Sequence, residues 1–174
     1  MSRIYRVLRN PFARAPFDGE GAYRYGGRWS SPGTRVSYAS EHQSLAMLEY
    51  FVHLDKDDPP SDLVLATAEV PDDVRREEID RHDLPANWRE AAAPPALALF
   101  GDEFVTRGER CLLLVPSVLA PEENNLLINP AHRDFEKITI HPLQPLLYDA
   151  RMSRTSTRTS ARTSLRSPGR HRAR

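Results

Sequence analysis

Glu49 is an acid set in an apolar stripe. A helix is expected from Glu41 to about Leu54, and on it Leu45, Leu48 and Val52 fall at i, i+3 and i+7. Glu49 lies within or at the edge of that arc, so it does not simply face water. Burying a carboxylate costs several kcal/mol, roughly, unless it is paired or lines a cavity. Two outcomes follow from helix geometry alone: a structural salt bridge with an arginine, or a place in a site. Gly26-Gly27-Arg28-Trp29 is the second group of interest. Two glycines let the backbone approach a ligand closely, and the arginine fork suits phosphate. Tyr25, Trp29 and Tyr38 offer stacking surfaces, although a loop tryptophan serves more often as a core anchor. Ser117 follows a continuous apolar run that stops at Pro116, which leaves its hydroxyl at a strand end.

Several chemistries are missing. Gly19-Glu20-Gly21 and Gly26-Gly27 are not followed by the Gly-Lys-Ser/Thr of a phosphate loop. The six histidines are scattered without metal-ligand spacing, and Ser117 lacks the Gly-x-Ser-x-Gly of a hydrolase elbow. Cys111 is the only cysteine, which excludes an internal disulfide and a cysteine-rich zinc site.

The elements that must position these groups can be read from periodicity. Ile4–Leu8, Arg35–Ala39, Leu63–Val70, Arg110–Val115 and Asn124–Pro130 read as strands, with one or two more in 137–148. Leu112–Val115 is apolar throughout, as for a strand buried on both faces. Ser40-Glu41-His42-Gln43 has the form of a capping box opening the Glu49 helix. A second helix is expected over Leu97–Thr106, ending at Gly108. Asn10–Gly33 is expected to be a long loop, and Pro71–Pro95 a polar connection with a helical turn near Trp88. Strands outnumber helices, which argues an α+β fold with mostly antiparallel sheet flanked by helices, not a doubly wound one.

The chain has 174 residues, the size of one domain, with 40% hydrophobic and 28% charged residues. Its zero net charge conceals an asymmetry. Residues 151–174 carry eight arginines and no acid, leaving 1–150 with sixteen basic groups against 24 acids, a net of −8. Such a body repels phosphate backbones as a whole. The Arg/Ser/Thr tail has no apolar face and is expected to be disordered. No stretch has the length of a membrane span or the form of a signal peptide, so a cytoplasmic protein without a membrane role is expected.

Taken together, several stretches resemble the RES-domain family, toxins of bacterial toxin–antitoxin pairs. They are Tyr5-Arg6-Val7, Gly26–Gly33, Val36–Ser40, Leu45–Glu49, Leu114–Ser117 and Glu123–His132, in family order over essentially the whole of 1–150. Ser30 departs from the family's usual asparagine and Phe104 from its usual tryptophan. The resemblance implies a fold similar to ADP-ribosyltransferases and an activity that consumes NAD as substrate, with no prosthetic group or metal. By motif match, Glu49, Arg28 and Ser117 are the implied catalytic positions, and Arg28, Tyr38 and Ser117 the implied NAD-binding ones.

In that frame Glu49 stabilises the oxocarbenium-like ribosyl cation formed as the nicotinamide–ribose bond breaks. Arg28 holds the diphosphate, Tyr38 walls the nicotinamide, and Ser117 hydrogen-bonds the substrate. Water, phosphate or a protein side chain remain open as acceptor. The implied partner is an antitoxin with a helix-turn-helix DNA-binding domain, through which any DNA contact runs, with a homodimer as one option for the toxin. A contrasting reading makes the basic tail the working part of a nucleic-acid-binding module. Salt-sensitive binding that vanishes on removing 151–174 distinguishes it.

Overall fold

The first strand, β1 (Ser2–Arg9), alternates as expected. Ile4 and Leu8 point to one face of the sheet, while Val7 points to the other. The computed structural model describes residues 1–55, 60–149 and 151–152. β1 pairs antiparallel with β3 (Leu63–Val70) along its full length, from Ser2 opposite Val70 to Arg9 opposite Leu63. On its other side Tyr5 meets Ser40 of β2 (Ser37–Ser40). β2 pairs with β6 (Asn124–Ile128), and β6 with β5 (Leu112–Pro116). The short β4 (Arg76–Glu78) adds to β5 in parallel. β7 (Thr139–Ile140) and β8 (Gln144–Pro145) both pair with β3. The sheet order is β4–β5–β6–β2–β1–β3–β7. Apart from β4–β5, the described pairings are antiparallel, so the α+β expectation holds.

Strand alternation sorts the side chains into two layers. Ile4, Ala39, Ala66, Leu112, Leu114 and Leu126 fill one face, closed by Phe17, Val74 and Ile138. Arg6 shares this face and donates to the Ser37 hydroxyl. Burial pushes its pKa below the ordinary value, while the charge of Asp18 opposes that shift. The two longer helices pack on the other face. Ala46 of α2 (Gln43–Phe51) packs with Val7, Leu63 and Leu65. Leu97 and Phe104 of α3 (Ala96–Arg107) pack with Leu113, Val115 and Leu127.

Some elements differ from the reading of the sequence. The Asn10–Gly33 stretch contains a helix, α1 (Glu20–Tyr25), bounded by Gly19 and Gly26, whose φ angles are 74° and 70°. β4 lies within the expected polar connection, which also contains a 3-10 turn at Arg81–Asp83. The capping box does not form. Ser40 stays in β2, and His42 is the N-cap of α2 without a side-chain cap bond. Val52 lies just past the end of α2 and is exposed, so it does not extend the apolar stripe. α3 ends as expected at Gly108, at φ 60°. Among the described residues no helix is long and apolar enough to cross a membrane. The expectation for the tail concerns residues that, beyond 152, lie outside those described.

Candidate active site

The register of three strands and one crossing helix builds the site. Ser40 stands opposite Asn125, and Asn125 opposite Val115. Paired residues share a face, so Ser40 and Asn125 lie on the helix-bearing side, and Ser117 follows two residues after Val115. α2 crosses this corner and brings Glu49 over it. The Ser117 hydroxyl donates to Glu49 Oε1 at 2.7 Å, and Asn125 Nδ2 donates to the same oxygen at 2.6 Å. Among the described residues none is bonded to Oε2 and none forms an ion pair with Glu49. The salt-bridge reading of Glu49 is therefore not what this corner holds. Two neutral donors fix the carboxylate and leave its charge uncancelled.

The Ser117 side chain is buried. While donating to Glu49, its Oγ also accepts the backbone amides of Leu119 and Ala120, each at 3.1 Å. One donor and two lone pairs exhaust a hydroxyl. Without a ligand, Ser117 therefore holds Glu49 and caps a turn.

Arg28 sits in the turn after α1, and that turn is fixed from three sides. Gly27 and Ser30 bond through their backbones, Gly27 N–H to Ser30 C=O at 2.8 Å. Beneath them the Tyr38 hydroxyl accepts the Trp29 amide at 3.0 Å and lies 2.9 Å from Ser30 Oγ. A Cβ at Gly27 would lie 2.5 Å from that phenol oxygen, so glycine is needed there. From α3, Asp102 accepts the Ser31 amide at 2.9 Å and the Thr34 hydroxyl at 2.6 Å. A Cβ at Gly101 would fall 1.9 Å from the Trp29 carbonyl oxygen, so helix and turn meet backbone to backbone. Trp29 itself is buried, edge-on to Phe100 at 6.3 Å, and anchors the turn instead of offering a stacking face.

The Arg28 guanidinium donates to three carbonyls of one loop: Trp88 at 3.0 Å, Glu90 at 2.9 Å and Ala91 at 3.3 Å. No described carboxylate pairs with it. Neutral carbonyls orient the cation without neutralising it, and two of its five N–H donors remain. Burial pushes the Tyr38 phenol above its ordinary pKa, against hydrogen bonds from Ser30 and Trp29 and the positive charge of Arg28. The phenol is therefore neutral at physiological pH. Tyr38 and Ser40 are alternate residues of β2, roughly 7 Å apart on the same face. That spacing links the Arg28–Tyr38 pair to the Glu49–Ser117 pair. An open cleft of about 480 Å³ lies between the start of β1 and the start of α2, lined by Arg3, Tyr5, His42, Gln43, Arg76 and Leu126, and includes none of Arg28, Tyr38, Glu49 and Ser117.

A family model described as the RES domain matches residues 3–152. The chain belongs to the RES family. It is 41% identical over 138 residues to a protein of Sphingobium sp. (strain YBL2) named Prs ADP-ribosylating toxin, covering 78% of this chain and 86% of that one. Identity is 36% over 145 residues with Toxin Res of Yersinia enterocolitica serotype O:8 / biotype 1B (strain NCTC 13174 / 8081), covering 83% and 94%. The fold matches the crystal structure of the M. tuberculosis MbcT–MbcA toxin–antitoxin complex, with a TM-score of 0.67 at 18% identity. That match covers 83% of this chain and 84% of the other.

The two RES-family departures noted in the sequence are both accommodated. Ser30 serves the Tyr38 hydroxyl, and Phe104 is buried on the sheet-facing side of α3. Sequence reasoning missed Asn125, Ser40, Gly101 and Asp102 as parts of this region. Only Asn125 had a signal, and a weak one, as one of two amides that open a strand whose other residues are apolar.

Proposed function

We propose that this chain is the toxin of a toxin–antitoxin pair and consumes NAD by cleaving its nicotinamide–ribose bond. The observation that carries this reading is the Glu49 carboxylate, pinned through one oxygen by two neutral donors and without an ion pair among the described residues. Such a carboxylate stabilises a cation that develops on an adjacent ribose carbon. As the bond from ribose C1′ to the nicotinamide nitrogen breaks, its electron pair leaves with nicotinamide, already a cationic leaving group. An oxygen of the acceptor then bonds C1′ and gives up its proton. Arg28 takes the diphosphate through its remaining donors, and Tyr38 supplies the wall beside the base. Ser117 acts through Glu49.

The acceptor is water or inorganic phosphate in the reading we favour. A protein acceptor is favoured by one observation, the name of the Sphingobium relative, which is an ADP-ribosylating toxin. The partner is an antitoxin with a helix-turn-helix domain that covers the mouth of the site and places a carboxylate on Arg28. The fold match to a toxin taken from its antitoxin complex supports such a partner.

The test is incubation of the purified chain with NAD, with and without phosphate, and identification of products by mass. Free ADP-ribose marks water as acceptor, its phosphorylated form marks phosphate, and label retained on protein marks ADP-ribosyl transfer. Intact NAD under all conditions overturns the reading.

A further inference from the structure

Asn125 lies in the Glu123–His132 stretch, whose motif the mechanism has left without a role. Its side chain joins two others in series. Ser40 Oγ donates to Asn125 Oδ1 at 2.6 Å, and Asn125 Nδ2 donates to Glu49 Oε1 at 2.6 Å. A primary amide offers either its oxygen or its nitrogen to a neighbour. Beside a carboxylate, only the nitrogen is tolerated, because an amide oxygen there would set acceptor against acceptor. That choice turns Oδ1 toward Ser40, which must then donate. Ser40 is buried, so water does not compete for the bond.

The pattern also discriminates between the two carboxylate oxygens. Asn125 and Ser117 approach from β6 and from the end of β5, and both end on Oε1. The carboxylate is thereby held in one rotation, with Oε2 as the oxygen free for another group. We propose that Asn125, locked by Ser40, is the positioning residue for Glu49. It sets which carboxylate oxygen meets the substrate without touching the substrate itself. This inference rests on the NAD-cleaving reading for its kinetic consequence only.

The experiment measures kcat and KM for NAD in wild type, Asn125→Ala, Asn125→Asp, Ser40→Ala and Ser40→Ala/Asn125→Ala. Asn125→Asp is nearly isosteric and places an acceptor against Oε1. Misplacing a reacting group by about 1 Å costs on the order of 100-fold, so kcat falls by about that factor in both Asn125 variants, with KM little changed. Ser40→Ala lowers kcat by a smaller factor, and adding it to Asn125→Ala costs nothing more, since its effect passes through the amide. A kcat within twofold of wild type in a folded Asn125 variant overturns the proposal. So do Ser40 and Asn125 losses that multiply. If neither Asn125 variant folds, Ser40→Ala decides, and an unchanged kcat overturns it.

A second readout does not depend on turnover. The ¹³C-carboxyl resonance of Glu49, assigned by its absence in Glu49→Gln, shifts in Ser40→Ala although Ser40 does not touch Glu49. An unmoved resonance overturns the proposal. Should wild type leave NAD intact, the functional reading fails while this signal still decides the positioning role.

Discussion

The Ser117 hydroxyl donates to Glu49 Oε1 at 2.7 Å while accepting the amides of Leu119 and Ala120. A single buried oxygen thus ties the acid of α2 to the turn that leaves β5. Ser117→Ala removes all three bonds. Losing these part-buried bonds costs about 0.5–1.5 kcal/mol, measurable as a lower urea midpoint. On the proposal that Ser117 acts through Glu49, kcat falls and KM for NAD stays near wild type. A raised KM with unchanged kcat would instead put Ser117 on the substrate.

The packing of α3 against the Arg28 turn gives a prediction about stability. Gly101→Ala sets a Cβ 1.9 Å from the Trp29 carbonyl oxygen, which only movement of helix or turn relieves. Overpacking of this kind costs roughly 1–3 kcal/mol and occasionally more, and the loss is expected at or above the upper end. Gly21→Ala is the contrast. Its Cβ meets nothing within 4 Å, and it lies inside α1. Alanine there is expected to stabilise by about 0.5–1 kcal/mol. Thermal melts of the two variants check both signs.

Arg28→Lys keeps a charge and loses a geometry. A lysine ammonium cannot span carbonyls spread over Trp88, Glu90 and Ala91 as the guanidinium does. Losing a charge-assisted bond is worth about 1.5–3 kcal/mol, or roughly a tenfold to hundredfold rise in KM for NAD. Amides of residues 86–91 also exchange faster with deuterium. Faster exchange without any change in KM would confine Arg28 to holding the loop.

Alkaline pH is expected to destabilise the chain. Burial pushes the Cys111 thiol from 9.0 to about 12, assisted by the charge of Asp134. Burial, then Tyr50, pushes Tyr148 from 10.0 to about 12, and burial raises Tyr38 and Tyr50 as well. Folded protein keeps these groups protonated where the unfolded chain ionises them. Their contribution is complete below the unfolded values and is lost as pH climbs toward the folded ones. The urea midpoint therefore drops between pH 8 and pH 11. In folded protein at pH 8 Cys111 resists alkylation, and in urea it reacts quickly. Equal labelling rates would contradict its burial.

The legible part of this molecule was the part that repeats with a period or carries a motif. Leu112–Val115 and Leu63–Val70 announce buried strands by composition, and Glu49 stands out because an acid breaks an apolar arc. α1 was hidden because its six residues bury only Ala22, too little for periodicity to register. β4 was hidden because three polar residues join the sheet through backbone alone. Ser40 misled for a physical reason. Its spacing to Gln43 suits a capping box, but strand pairing with β6 gave its hydroxyl a partner 85 residues away. The same long-range register conceals Asn125, which no local pattern connects to Glu49.

The most direct measurement of the account is NAD turnover by wild type beside Glu49→Gln, with folding of both verified by melting. Glutamine preserves the shape of the side chain and can still accept from Ser117 and Asn125, yet it carries no charge to set against a developing cation. Wild type is expected to release nicotinamide, and Glu49→Gln to do so at least about 100-fold more slowly with an unchanged melting temperature. Nicotinamide release by Glu49→Gln at the wild-type rate would contradict the assignment of Glu49 as the catalytic acid residue of this site.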